Sequence, residues 1–247
     1  MEIEISILIV FLFILSVLSF LYASVGHGGA SGYLALMALF SFPNNTMKQT
    51  ALLLNLFVAG IAFYNYRKAG YFRKELFIPF AIGSIPAAFT GGAMEVEPLM
   101  YKKILGALLL FAIARIFWKR TKNENSLKSA NFFQALIIGL AVGFFSGLIG
   151  IGGGIILTPI ILLLHWGKMK EAAAVSALFI WVNSFSGLLG QLSSGVELYP
   201  IAGAMLVVAV IGGLAGSYLG SRKWNNLILE YCLGTVLISA SVKLLFF

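Results

Sequence analysis

The chain has 247 residues, of which 60% are hydrophobic and only 11% charged, with a formal net charge of +8 and a mean hydropathy of +0.97. A soluble domain carries about 25% charged residues, so the composition excludes one and places most of the chain in a bilayer. The Lys and Arg residues sit at the ends of apolar runs, as the positive-inside rule requires, and no basic domain is left over to bind nucleic acid.

The first apolar segment spans residues 5–24. Only Glu2 and Glu4 are charged before it, whereas a signal peptide needs a basic leader, so a retained membrane helix is expected. The run breaks at Gly26-His27-Gly28-Gly29-Ala30 and resumes over 30–42. Further apolar segments fall at 49–66, 76–93 and 99–118, and a polar basic stretch follows from Lys119 to Lys128. A second set covers 132–149, 153–166, 171–190, 199–219 and 226–246, with a second break at Gly150-Ile151-Gly152-Gly153-Gly154. Most segments can cross a hydrocarbon core of about 30 Å. The two after the glycine breaks rise only about 18–20 Å as helices and are expected to be half-spanning.

The two sets form a repeat. The step from Gly26 to Gly150 also carries Gly28 and Gly29 onto Gly152 and Gly153, and farther along Gly83 matches Gly212 and Gly91 matches Gly220. Equivalent loops differ in charge. Arg67, Lys68, Arg73 and Lys74 face a mate holding only Glu197, and Glu95 and Glu97 face Arg222 and Lys223. Equivalent loops therefore lie on opposite sides of the membrane. The expected fold is an all-α polytopic membrane protein of two inverted repeats, each with about four full transmembrane helices plus one short or broken segment after a Gly-rich motif. Residues 1–118 would form the first repeat, 119–130 a cytoplasmic basic linker, and 131–247 the second repeat. Small residues four apart, at Gly83/Ala87/Gly91 and Gly212/Gly216/Gly220, are expected to permit close helix packing.

The sequence offers little for catalysis. One cysteine, Cys232, excludes an intrachain disulfide, two histidines make no metal cluster, and no carboxylate is central in a span. No Walker loop or Gly-x-Ser-x-Gly elbow occurs. Neither an enzyme nor a cofactor or metal is expected. A glycine break in a membrane helix, by contrast, frees backbone groups that must be buried in protein or line a cavity, and two in corresponding positions point to a transporter's binding site. The helices restarting near Ala30 and Gly154 would present unpaired N–H groups and a positive dipole end, which bind anions without a charged side chain. The candidate binding residues are Gly26, His27, Gly28, Gly29, Ala30, Ser31, Asn55, Gly150, Gly152, Gly153, Gly154, Ser176 and Asn183. Ser24 and Ser146 lie near the same wall, and His165, beside Trp166, is read as interfacial.

Gly147-Leu148-Ile149-Gly150-Ile151-Gly152-Gly153-Gly154, followed by Pro159, resembles the signature of the TauE/SafE family, also called the sulfite exporter or TSUP family. The resemblance covers nearly the whole chain. It implies a multi-pass transporter of a bacterial or archaeal plasma membrane, carrying small sulfur-containing anions such as sulfite or organosulfonates. The first half departs from the pattern, with Ala30 in place of the last glycine, His27 within the run, and no proline after it. The function expected is anion passage, outward in the sense of an exporter, by alternating access; an anion channel of the same architecture, or a carrier of another small organic anion, is the alternative. The partners are the bilayer and the small anion. A homodimer is compatible with the sequence, which names no interface for it.

Overall fold

The computed structural model describes residues 5–95, 97, 100, 103, 104, 106, 107, 110, 127–193 and 202–223. Most of the expected segment 99–118, the segment 226–246, the linker up to residue 126 and Cys232 lie outside the described residues. The helices are α1 (Ile5–Ser24), α2 (Ala30–Leu39), α3 (Asn44–Lys68), α4 (Lys74–Ala93), α5 (Phe132–Ile149), α6 (Gly154–Leu163), α7 (Met169–Ser193) and α8 (Ala202–Arg222). No strand occurs among the described residues. The six long helices are apolar enough to cross a membrane. Helices α2 and α6 have 10 residues each, a rise of about 15 Å, or half of a hydrocarbon core. The chain is a multi-pass membrane protein.

The half-helices begin and end alike. Gly29 and Gly153 hold their N-cap positions at φ +97° and +77°, where a side chain would strain the backbone. Each helix stops at a non-glycine residue of positive φ, Ser41 at 59° and His165 at 56°. Phe42 N–H then donates back to Met37 O, as Trp166 N–H does to Ile161 O. This is the six-to-one bond of a Schellman ending. His165, expected only to sit at the interface, thus forms the stop of α6. Three helices start earlier than hydropathy suggests, α3 at Asn44 rather than 49, α4 at Lys74 rather than 76 and α7 at Met169 rather than 171. Their polar first turns, such as Asn44 to Gln49 after Pro43, are helical although no apolar pattern marks them.

Glycines set the packing. Along α8, the missing Cβ atoms of Gly212, Gly216 and Gly220 face the carbonyls of Ser16, Phe20 and Ser24 on α1, so the two helices run parallel with backbones touching. Helices α4 and α5 do the same, with Gly83 against Leu136, Gly91 against Phe144, and Gly147 against Ala88. Helix α7 runs parallel to α4, where Ser186 Oγ donates to Ile85 O at 2.6 Å, and antiparallel to α3, where Gly60 faces Trp181 and Gly187 faces Leu52. Helices α1, α3 and α8 therefore point one way and α4, α5 and α7 the other.

One end of the bundle is basic. Arg73 donates to Trp166 O at 3.1 Å and lies 3.7 Å from Glu171. Lys128 N–H donates to His165 O, and Lys170 Nζ to Ser221 O. These contacts gather the loops carrying Arg67, Lys68, Lys74, Lys168, Arg222 and Lys223 at the same end. The opposite end holds Glu95 and Glu97. Lys48, expected in a loop over 43–48, is instead in the second turn of α3 and buried. Its Nζ donates to Gly92 O at 2.8 Å and Met94 O at 3.3 Å, so the carbonyls ending α4 draw it into the helix packing.

Candidate functional site

The two glycine breaks converge where α3 crosses α7. On the first, Ala30 N–H at the start of α2 donates to Asn55 Oδ1 at 3.1 Å. Gly28 lies so close to α3 that a Cβ there would strike the same Oδ1, and would come within 3.0 Å of Ile180 Cγ2 on α7. On the second break, a Cβ at Gly152 would lie 2.5 Å from Asn55 Nδ2, 2.8 Å from Ile180 Cγ2 and 3.2 Å from Ser184 Oγ. One amide and one isoleucine thus touch both breaks. Asn55 sits 11 residues into the 25-residue α3 (Asn44 to Asn55), near its middle.

Two polar atoms at this crossing are unspent. Asn55 Nδ2 and Ser184 Oγ are fully buried and have no hydrogen-bond partner. Both flank Gly152, in front of the N-terminus of α6. In α6 the Ile156 N–H already bonds Gly153 O at 3.1 Å, while the N–H groups of Ser31, Gly154 and Ile155 lack acceptors within their own helices. The dipole of each half-helix adds positive potential at the same place. None of the residues named here carries a formal charge, apart from what His27 could gain. The chemistry offered is that of converging neutral donors.

A hydrogen-bonded chain ties the halves together beside this point. His27 Nε2 is 3.1 Å from Thr158 Oγ1 on α6, and Thr158 Oγ1 donates to Ser176 Oγ on α7 at 2.8 Å. A hydroxyl both donates and accepts, so Thr158 Oγ1 links the His27 ring to Ser176.

Of the expected residues, Gly28, Gly29, Ala30, Asn55, Gly152, Gly153 and Gly154 meet at the crossing, with His27 and Ser176 alongside. A Cβ at Gly154 would press on Ile180 and reach 3.4 Å from Ser176 O, and one at Gly153 would press on Phe179, Val142 and Ser146. Others turn away. Gly26 packs on Ala173 and Gly150 on Lys48. Ser31 Oγ donates to Tyr22 OH at 2.9 Å, Ser24 Oγ to Leu21 O, and Asn183 Nδ2 to Phe179 O of its own helix. Thr158, Ile180 and Ser184 were not expected. Ser184 follows Asn183 and Thr158 precedes Pro159, and nothing in those apolar surroundings marks either as more than packing. Among the described residues no group of three His, Cys, Asp or Glu could hold a metal.

Residues 10–244 match the family described as sulfite exporter TauE/SafE. The chain is 35% identical over 233 residues to a protein of Sinorhizobium fredii named probable membrane transporter protein y4hK, covering 93% of this chain and 94% of the other. The chain belongs to the TauE/SafE family. A second relative, the probable membrane transporter protein YdhB of Bacillus subtilis, is 27% identical over 229 residues, 87% of this chain and 89% of its own. No solved structure gives a match. Membership in TauE/SafE makes the protein a membrane transporter rather than an enzyme, and the six long apolar helices agree with it. In this chain Gly152, just before α6, is the residue of the second break that reaches Asn55.

Proposed function

We propose that the protein exports a small sulfur oxyanion or organosulfonate, such as sulfite, by alternating access, holding it at the α3–α7 crossing between the N-termini of α2 and α6. The observation that carries this reading is the pair of buried, unpartnered groups, Asn55 Nδ2 and Ser184 Oγ, in front of a helix N-terminus. Such groups cost about 1–3 kcal/mol each when left unmade, and a bound oxyanion would accept from both. The opposite directions of α1, α3 and α8 against α4, α5 and α7 support two inverted repeats, with the boundaries 1–118 and 131–247 and the linker 119–130 between them. The basic end then faces the cytoplasm, and the linker with it. The inside-negative potential drives an anion outward by about 2.3 kcal/mol per charge per 100 mV. A coupled ion is therefore not required for export.

The test is a thermal-shift series on purified protein with sulfite, sulfate, sulfoacetate, taurine, acetate and chloride, followed by counterflow in proteoliposomes. Ligand at 100 times its dissociation constant stabilises by about 2.7 kcal/mol. Stabilisation by a sulfur oxyanion together with saturable counterflow is the expected result. Equal response to all six solutes, or large unitary currents without counterflow, overturns the carrier reading.

A further inference from the structure

We propose a second anion-binding site, built by Lys48, Gln49 and Gln191 at the end of the bundle opposite the basic loops. Lys48 is a cation inside a membrane-spanning helix, where ionisable residues mark substrate paths by default. It is 7% exposed, and its two acceptors are the neutral carbonyls of Gly92 and Met94. An ammonium has three donors, so these bonds neither exhaust it nor cancel its charge. Among the described residues no carboxylate lies within 4 Å of it, the salt bridge there being Arg73–Glu171. Glu95 is the nearby acid, and it is exposed.

The surroundings are unusually rich in unsatisfied groups. Gln49 is buried with both its Nε2 and its Oε1 unpartnered, and the buried Gln191 Oε1 has no partner either. They come from one level. Helices α3 and α7 cross antiparallel with Gly60 at Trp181 and Leu52 at Gly187, which brings the register of Gln49 to that of Gln191. Gly190, beside Gln191, lies against Phe89 O and the backbone of Ala93, one residue from the Gly92 carbonyl that Lys48 holds. A buried cation and an unspent amide donor at one level of the bundle have the chemistry of an oxyanion site. Carbonyl-capping of α4 accounts for Lys48 alone and leaves both ends of Gln49 unexplained.

Lys48 also joins this mouth to the central crossing. Lys48, Leu52 and Asn55 are spaced to share one face of α3, about 10 Å apart from first to last. A Cβ at Gly150, where the loop to α6 begins, would lie 3.1–3.2 Å from the Lys48 backbone and the first part of its stem. The anion released from the central site would meet Lys48 next on its way out. That order rests on the export reading; the site itself does not.

The experiment is calorimetric titration of sulfite, with sulfate and chloride in parallel, into the full-length purified protein and its variants. The native chain is expected to show two binding events. Lys48→Met should remove one, or weaken it at least ten-fold, with Lys48→Arg restoring it, while Asn55→Ala should remove the other. Should Lys48→Met fail to fold, Gln49→Leu and Gln191→Leu carry the same test. Loss of thermal stability in Lys48→Met with both events intact overturns the proposal and leaves Lys48 a cap of α4. If Lys48→Met removes one event and Asn55→Ala none, the second site stands and the central reading falls.

Discussion

Asn55 accepts the Ala30 N–H through Oδ1 at 3.1 Å while its Nδ2 faces Gly152 of the other glycine break without a partner. One side chain therefore reads the position of both half-helices. Asn55→Leu keeps the volume and removes both polar ends. The buried Ala30 N–H then loses its acceptor, a cost of about 1–3 kcal/mol. Sulfite counterflow is expected to fall at least ten-fold with the protein still in the membrane. Unchanged counterflow would remove Asn55 from the site.

Gly152→Ala and Gly70→Ala separate backbone strain from crowding. Both glycines have positive φ, +73° and +83°, but a Cβ at Gly152 meets Asn55 and Ile180, whereas one at Gly70 meets nothing within 4 Å. The left-handed backbone alone costs roughly 1–2 kcal/mol for an alanine. Gly70→Ala should lower the melting temperature a little and spare transport. Gly152→Ala should do both more severely, and equal melting temperatures for the two would contradict the contacts described.

The breaks were legible because glycine clusters are costly in a helix, and helices do restart at Ala30 and Gly154. The polar residues were harder to read. Asn55 could be suspected as an amide in an apolar run, yet the repeat offers no mate for it: the step of 124 from Gly26 to Gly150 carries Asn55 onto Phe179. Thr158 was missed because its partner His27 is 131 positions away, and a lone hydroxyl in an apolar helix looks like packing. Lys48 falls just outside the apolar segment 49–66 because hydropathy ends a span at a charge. The carbonyls of Gly92 and Met94 that make its burial tolerable belong to a helix that no local pattern links to it.

Thr158→Val tests the chain from His27 to Ser176. Valine keeps the shape and removes the hydroxyl that bonds both side chains. In a double-mutant cycle with His27→Ala, measured by thermal unfolding, the two changes should be non-additive by about 0.5–3 kcal/mol. Additive effects would show that the two side chains are not energetically coupled.

Helix contacts are tested at Gly216 and Gly203. A Cβ at Gly216 faces the Phe20 carbonyl on α1, while at Gly203 it meets nothing within 4 Å. Gly216→Val is expected to lower stability by about 1–3 kcal/mol or more through overpacking. Gly203→Ala is expected to be neutral or to gain up to about 1 kcal/mol of helix propensity. Melting temperatures of the two purified variants decide it.

Orientation is read by labelling. On a Cys232→Ser background, Lys68→Cys and Glu97→Cys place exposed thiols at opposite ends of the bundle. An impermeant maleimide applied to intact cells should label Glu97→Cys and reach Lys68→Cys only after permeabilisation. The reverse pattern would invert the topology.

The seam between α1 and α8 has a consequence for how the protein is made. Ser19 Oγ donates to Ala209 O, 190 positions later in the chain, and the Gly216–Phe20 and Gly220–Ser24 contacts span similar separations. At roughly 5–20 residues per second of synthesis, α1 leaves the ribosome about 10–40 s before the helix that covers it. During that interval its Ser19 hydroxyl and its α8-facing surface must be sheltered by lipid or by the insertion machinery. Slowing translation between residues 24 and 202 should therefore lengthen the exposure of a nascent chain to membrane proteolysis without altering the finished protein.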